Sequence, residues 1–203
     1  MQEHSIQRNI IYIHGFRSSG ASDKARLLQE TFPQCKVLSP TLPADPAEAI
    51  GHLGNMLDRL TGRTLLVGTS LGGFYALYLS CRDGYACCAI NPAWQAHQSL
   101  ARKVGIHTRY DSEELYDFRT EYLEKLHDMR EFIRTSQKDP GRMNIFLSND
   151  DEELSFVGLE ELIPECRLLR RFDDSGHRFT RFREILGDIG QILETLPESG
   201  MHV

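Results

Sequence analysis

A serine flanked by glycines, placed between a short apolar run and a helical segment, is the feature that most constrains this chain. The stretch from Thr64 to Tyr78 reads T-L-L-V-G-T-S-L-G-G-F-Y-A-L-Y. Its first four residues are apolar or β-branched and predict a buried strand, and the apolar positions after Gly73 predict a helix. Ser70 is therefore expected at a sharp turn from a strand into a helix.

Gly68 and Gly72 stand two residues on either side of Ser70. A turn this sharp brings strand and helix so close that a Cβ atom at either glycine would collide with neighbouring backbone. The central residue of such a turn is strained and exposes its hydroxyl, and the start of the helix directs free amides at developing negative charge. The alternative is a tight turn in which Ser70 only caps the helix.

Apolar runs and helical patterns alternate along most of the chain. Strands are predicted at residues 9–13, 36–39, 64–67, 85–90, 143–147 and 167–172, and helices at about 22–32, 45–60, 156–163 and 179–196. This alternation is typical of an α/β fold with a doubly wound, mostly parallel sheet, here of about six strands. The chain length suits one domain over residues 1–203.

Residues 94–134 interrupt the alternation with a mixed helical pattern, many charges and no predicted strand. We interpret this segment as a helical cap inserted over the open end of the sheet. The alternative is an ordinary excursion whose helices pack on the sheet.

Ligands of open α/β sheets bind beyond the carboxyl ends of the strands, so the residues that follow the strands are the candidates for a site. They are His14, Gly15, Phe16, Ser70, Asn91, Asp150, Asp151 and His177.

Three of these candidates form a possible catalytic triad. Serine needs a base to become a nucleophile, and a histidine base needs a carboxylate that fixes its tautomer. Ser70, Asp151 and His177 follow the third, fifth and sixth predicted strands, in the order serine, acid, histidine that is expected for such a sheet. Asp150 and then Glu152 are alternatives for the acid, and His177 could instead cap the last helix.

A tetrahedral intermediate also needs two donors for its oxyanion. The amide of Leu71, after the nucleophile, is one candidate, and the amide of Phe16, in the loop after the first strand, is the second. His14 is a rival base, but its place beside Gly15 and Phe16 indicates that it braces this loop.

The motifs H-G-F-R-S-S, G-T-S-L-G-G-F-Y-A, N-P-A, D-D-E and G-H-R-F occur in this order. Together they resemble the small bacterial α/β-hydrolase-fold esterases of the YqiA and YcfP type. The resemblance implies Ser70 as nucleophile, Asp151 as acid and His177 as base. It also implies hydrolysis of a carboxylic ester or thioester, including acyl-CoA, with no metal and no cofactor.

Composition excludes several other classes of protein. The formal net charge of −6 and the scattered basic residues argue against a nucleic-acid partner. Five cysteines without a C-x-x-C pair argue against a disulfide framework and a zinc site. With no apolar signal segment or membrane span in the sequence, a cytoplasmic location is expected.

The sequence therefore predicts a serine esterase or thioesterase that acts on a small-molecule acyl substrate. Two alternatives stay open. An amide or C–C bond hydrolase would use the same triad, and a binding or sensor protein of this fold would turn over little or nothing. The oligomeric state is not predicted.

Overall fold

The main element of the fold is a six-stranded β-sheet. The structure is a computed structural model that describes residues 7–137, 139, 141–159, 162 and 166–196. The strands are β1 Arg8–Ile13, β2 Lys36–Leu38, β3 Arg63–Thr69, β4 Ala86–Ile90, β5 Gly105–Thr108, β6 Leu115–Phe118, β7 Met143–Ser148 and β8 Leu168–Phe172. The sheet has the order β2-β1-β3-β4-β7-β8 with every neighbouring pair parallel, whereas β5 and β6 form a separate antiparallel pair. The predicted α/β class with a mostly parallel sheet is confirmed.

The register aligns the carboxyl ends of the central strands. Ile13 at the end of β1 pairs with Gly68 in β3, and Thr69 at the end of β3 pairs with Ile90 at the end of β4. Because the strands are parallel, the loops that follow them all leave from one edge of the sheet.

Helices cover both faces of the sheet. They are α1 Asp23–Thr31, α2 Pro46–Leu57, α3 Leu71–Asp83, α4 Ala96–Ser99, α5 Glu121–Thr135 and α6 Leu186–Thr195. Buried side chains of α1 and α6 pack with Ile10 and Val67, whereas those of α2, α3 and α5 pack with Ile11 and Leu66. Successive strand residues point to opposite faces, so one apolar run supplies both cores.

The helix starts follow from local side-chain chemistry. The Ser22 hydroxyl accepts a hydrogen bond from the Ala25 amide at 3.2 Å, and α1 begins at the next residue after this serine. The Asp45 carboxylate accepts from the Ala47 amide at 2.8 Å, and Pro46 occupies the first position of α2, where its missing N–H costs nothing.

The expectation that residues 94–134 hold no strand is wrong. Strands β5 and β6 form a hairpin over residues 105–118, and α5 packs against α2, α3 and α4 beside the sheet. Each strand of the 105–118 hairpin has only four residues, and Ile106 and Leu115 on its outer face are about two-thirds exposed. Apolar residues on both faces of such short strands hide the alternation that identifies a half-buried strand.

Two predicted helices in the last quarter of the chain differ from the structure. The helix expected at 156–163 lies partly outside the described residues, and those described there form turns. The helix expected at 179–196 is divided into a 3-10 helix, Thr180–Ile185, and α6, with non-helical backbone at Arg181.

Candidate active site

The turn from β3 into α3 has the geometry that the glycines predict. Ser70 has φ 56° and ψ −120°, a left-handed conformation that is strained for a residue with a side chain. A Cβ atom on Gly68 would lie 2.1 Å from the Gly72 carbonyl oxygen, and one on Gly72 would lie 2.0 Å from the Ile13 carbonyl oxygen. Only glycine fits at these two positions, so the elbow depends on both.

The backbone of Ser70 is held on two sides. Its amide donates to the Ile90 carbonyl at 2.9 Å, and its carbonyl accepts from the amides of Phe74 and Ala93, each at 3.1 Å. Leu71 is the first residue of α3, where an amide has no partner within the helix, and its amide has no acceptor among the described residues. This amide is therefore available to a ligand near the Ser70 hydroxyl.

His177 and Asp151 form a direct pair. The Nδ1 atom of His177 lies 3.1 and 3.0 Å from the two carboxylate oxygens of Asp151. The Asp151 side chain is 1% exposed and that of His177 is 15% exposed. Asp151 also accepts hydrogen bonds from the amides of Glu153 and Leu154, both at 2.9 Å, which fix the carboxylate.

Asp150 and Glu152, the two acidic residues next to Asp151, hold backbone rather than the imidazole. Asp150 accepts from the Ser148 hydroxyl and from the amides of Ser175 and Gly176, and these hydrogen bonds lower its pKa to about 2. Glu152 accepts from the His177 amide at 2.9 Å. Asp150 and Glu152 therefore fix the loop that carries His177.

Asn91, which is fully buried after β4, ties the same loop to the sheet. Its Nδ2 atom donates to the carbonyls of Gly176 at 3.0 Å and His177 at 3.4 Å, and its Oδ1 atom accepts from the Ser148 amide at 2.7 Å. This amide side chain spans the ends of β4 and β7 and reaches the loop that follows β8.

No hydrogen bond joins the Ser70 hydroxyl to the imidazole of His177 within the part of the chain that the structure describes. Such bonds are often long before a substrate binds. The two side chains lie on loops that leave the same edge of the sheet, and Asn91 links the strand beside the elbow to the His177 loop.

His14 is occupied by its own loop. Its Nε2 atom accepts from the Leu42 amide at 2.9 Å, so its Nδ1 atom carries the proton and donates to the Gly15 carbonyl at 2.8 Å. Burial lowers the pKa of His14 and keeps the ring neutral. Both nitrogens are used, which leaves neither one to act as a base.

The loop after β1 lies against the nucleophile. A Cβ atom on Gly15 would be 3.4 Å from the Cβ atom of Ser70. The Ser18 amide donates to the Gly15 carbonyl at 3.2 Å and closes a turn in which Arg17 has φ 60°. The Phe16 amide, at the second position of this turn, has no acceptor among the described residues.

The 105–118 hairpin covers this loop. The Phe16 ring makes edge contacts with the rings of His107, Tyr116 and Phe118, at centroid distances of 5.9, 5.1 and 5.2 Å. The Arg17 side chain donates to the Thr108 carbonyl at 2.8 Å. The hairpin therefore fixes both the side chain of Phe16 and the residue after it.

The buried position of Arg109 is not predicted by the sequence. Its guanidinium is buried and donates to the carbonyls of Ser18 at 2.6 Å and Leu42 at 3.0 Å, and its Nε atom lies 2.9 Å from the Glu114 carboxylate. In the sequence it is one charge in a polar run, and no local pattern distinguishes a buried arginine there from an exposed one.

Among the described residues, no group of three or more His, Cys, Asp or Glu side chains is arranged to hold a metal ion. In the same residues, no helix has the length and the apolar character that crossing a bilayer requires.

Comparison with known families identifies relatives over nearly the whole chain. The profile of a family described as an uncharacterised protein family, UPF0227, matches residues 9–194. A UPF0227 protein of Serratia proteamaculans (strain 568) is 27% identical over 195 residues, which cover 93% of this chain and 99% of that protein.

Solved structures with a similar fold include a lipase and an esterase. A monoacylglycerol lipase of Paleococcus ferrophilus superposes with a TM-score of 0.69 at 14% identity, covering 92% of this chain and 94% of the lipase. Est1E of Butyrivibrio proteoclasticus gives a TM-score of 0.67 at 13% identity, covering 94% of this chain and 90% of Est1E. At this level of identity the likeness establishes the α/β-hydrolase fold.

Proposed function

Because the chain belongs to the UPF0227 family and has the α/β-hydrolase fold, we propose that it is a serine hydrolase that cleaves a carboxylic ester or thioester. The observation that carries the proposal is the buried Asp151 carboxylate on Nδ1 of His177, at the same sheet edge as a strained Ser70. A carboxylate on Nδ1 keeps the proton on that nitrogen and leaves Nε2 free to act as a base.

In the proposed mechanism, the Ser70 oxygen attacks the acyl carbon while Nε2 of His177 takes the hydroxyl proton. The carbonyl oxygen becomes an oxyanion and accepts hydrogen bonds from the amides of Phe16 and Leu71. His177 then gives its proton to the departing alcohol or thiol, which leaves an acyl group on Ser70. Water, deprotonated by His177, attacks this acyl-enzyme and releases the acid.

Supporting residues have defined tasks in this proposal. Gly68 and Gly72 permit the elbow, and Gly15 lies in the oxyanion loop against Ser70. His14 braces that loop, and Asn91 holds the loop of His177. We also propose that residues 94–134 act as a cap, since the 105–118 hairpin lies on Phe16 beside the nucleophile.

The proposed substrate is a small acyl ester or thioester, and the proposed location is the cytoplasm. No disulfide joins any of the five cysteines, all of which lie among the described residues, and this suits a reducing compartment.

Covalent labelling tests the proposal directly. A fluorophosphonate probe should label the wild-type protein once, at Ser70, and should not label Ser70→Ala. The wild type should also hydrolyse p-nitrophenyl butyrate, and Ser70→Ala should lose at least about 10⁴-fold in kcat. A folded wild-type protein that takes no label would contradict the proposal and favour a binding or sensor function.

Panels of esters, thioesters and amides with the same acyl group then compare reaction classes. The proposal expects ester or thioester cleavage to exceed amide cleavage. A preference for the amide would replace the proposed reaction by peptide or amide hydrolysis on the same residues.

A further inference from the structure

A groove of about 420 Å³ runs between α1 and the 3-10 helix that follows the His177 loop. Charged side chains dominate its walls, and two phenylalanines and a leucine form its apolar part. Its lining is Asp23, Lys24, Arg26, Leu27, Glu30, Arg178, Phe179, Thr180, Phe182 and Arg183.

The groove begins one residue from the proposed base. The Lys24 ammonium on α1 donates to the carbonyl of Arg178 at 2.6 Å, and Arg178 directly follows His177 in the chain. Helix α1 is capped by Ser22, at the end of the loop that contains Phe16. One wall of the groove therefore includes the residue after the proposed base, and the other wall begins where the loop that contains Phe16 ends.

Positive charge is in excess in this groove. Four cations line it against the carboxylates of Asp23 and Glu30, although the whole chain carries a net charge of −6. Arg26 is paired with Asp23 at 2.6 Å. Arg178 and Arg183 are exposed and form no ion pair with any residue that the structure describes.

The cations are also crowded. Burial lowers the pKa of Lys24, and the positive charge of Arg178 lowers it further. The Lys24 ammonium lies 5.7 Å from the centre of the buried Phe182 ring, which presents one apolar wall. Like charges held together beside an apolar wall favour an anionic ligand with a flat or apolar portion.

We infer that this groove binds a phosphate group carried by the leaving group of the substrate, with Arg178, Arg183 and Lys24 as its cationic contacts. This inference rests on the proposed hydrolase function, because only the substrate of a hydrolase has a leaving group for the groove to hold. Arginine presents paired N–H donors to phosphate oxygens, and lysine adds a point charge.

Two esters with the same acyl group test the inference. Phenyl butyrate has a neutral leaving group, whereas 4-(butyryloxy)phenyl phosphate carries a phosphate on the same ring. The double variant Arg178→Gln/Arg183→Gln removes the unpaired cations. The control variant, Lys36→Gln/Arg59→Gln, removes equal charge from a groove beside the first residue of β2, at the opposite end of the sheet.

We expect wild type to prefer the phosphorylated ester, and the double variant to lower the ratio of kcat/KM for the two esters by about tenfold or more. The control variant should leave the ratio within about twofold, and added salt should reduce the preference of wild type. An equal ratio in wild type and in the double variant would overturn the inference.

A binding measurement separates this inference from the proposed reaction. Inorganic pyrophosphate, titrated by calorimetry into Ser70→Ala protein, should bind, and Arg178→Gln/Arg183→Gln in that background should abolish binding. Pyrophosphate should also inhibit cleavage of the phosphorylated ester competitively in wild type. Binding without competition, or binding that survives the double variant, would contradict a subsite for the leaving group. Absence of ester cleavage with intact, arginine-dependent binding would instead overturn the hydrolase proposal and leave an anion site.

Discussion

The Nδ1 atom of His177 lies 3.0 Å from Oδ2 of Asp151, whose side chain is 1% exposed. The neighbouring carboxylates of Asp150 and Glu152 bind backbone amides of the loop that carries this histidine. Asp150, Asp151 and Glu152 therefore all contact the loop that carries His177, and of these three Asp151 is the one that contacts the imidazole.

Substitution of Asp151 by Asn should reduce kcat for p-nitrophenyl butyrate by about 10⁴-fold, because an amide no longer holds the required tautomer of His177. Asp150→Asn should reduce kcat far less, since the hydrogen bonds of its carboxylate among the described residues come from Ser148, Ser175 and Gly176 and not from the imidazole. Its main effect should be a lower thermal midpoint. If Asp150→Asn were the more damaging of the two for kcat, the acid would be misassigned.

Asn91→Asp should lower kcat by about tenfold or more and should also destabilise the protein, since it places a carboxylate in a fully buried position against two carbonyl oxygens. The Oδ1 acceptor for the Ser148 amide remains, but the donor to the Gly176 and His177 carbonyls is lost. Asn55→Asp, an exposed change on α2, is the control and should leave kcat within about twofold. Equal kcat values for the two variants would exclude a positioning role for Asn91.

Gly72→Ala should prevent native folding or destabilise the protein by more than about 4 kcal/mol, since the new Cβ atom would lie 2.0 Å from the Ile13 carbonyl oxygen. Gly51→Ala is the matched control, because a Cβ atom there meets nothing within 4 Å. In the interior of α2 that change should stabilise the protein by about 0.5–1 kcal/mol. Urea denaturation of both variants measures the difference.

Arg109→Met should loosen the 105–118 hairpin, because the carbonyls of Ser18 and Leu42 lose their buried donor. We expect a destabilisation of about 1–3 kcal/mol and faster cleavage of the hairpin in limited proteolysis. Arg119→Met removes an arginine that is 58% exposed at the end of the same hairpin and should leave both measurements unchanged. Equal protease sensitivity of the two variants would show that the hydrogen bonds of Arg109 do not hold the hairpin in place.

The free energy of unfolding should fall as the pH drops below 6.5. Burial lowers the pKa of His14 from its ordinary value of 6.5, so the unfolded chain takes up a proton at this position before the folded protein does. The contribution of neutral His14 is therefore complete above that value and is lost on acidification. His14→Gln should reduce the change in unfolding free energy with pH. Urea denaturation at pH 7.5 and pH 5.5, about one unit above and below the ordinary histidine pKa, measures this change. The exposed control His52→Gln should show the same change as wild type.

The fold and the family resemblance followed from short-range patterns. Apolar runs fixed the strands, and the motifs around Ser70 and His177 pointed to the family that the comparisons identify. The roles of Ser70, Asp151, His177 and Phe16 stay predictions, although the structure pairs Asp151 with His177. The choice among three adjacent carboxylates was open in the sequence because it depends on side-chain direction, which a loop sets through contacts far along the chain.

The 105–118 hairpin and Arg109 were missed for a related reason. The hairpin has apolar residues on both faces, and its inner face is identified only by packing on Phe16, which lies about ninety residues earlier in the chain. Burial of Arg109 depends on two carbonyls from the loops after β1 and β2. Neither relation leaves a periodic signal, because both are set by tertiary contact rather than by local preference.

The position of β8 at the edge of the sheet has a consequence for biosynthesis. The serine elbow stands on β3, in the middle of the sheet, whereas His177 follows the last strand to leave the ribosome. If His177 is the base, as proposed, a nascent chain therefore contains Ser70 and Phe16 long before it contains the residue that would activate the serine.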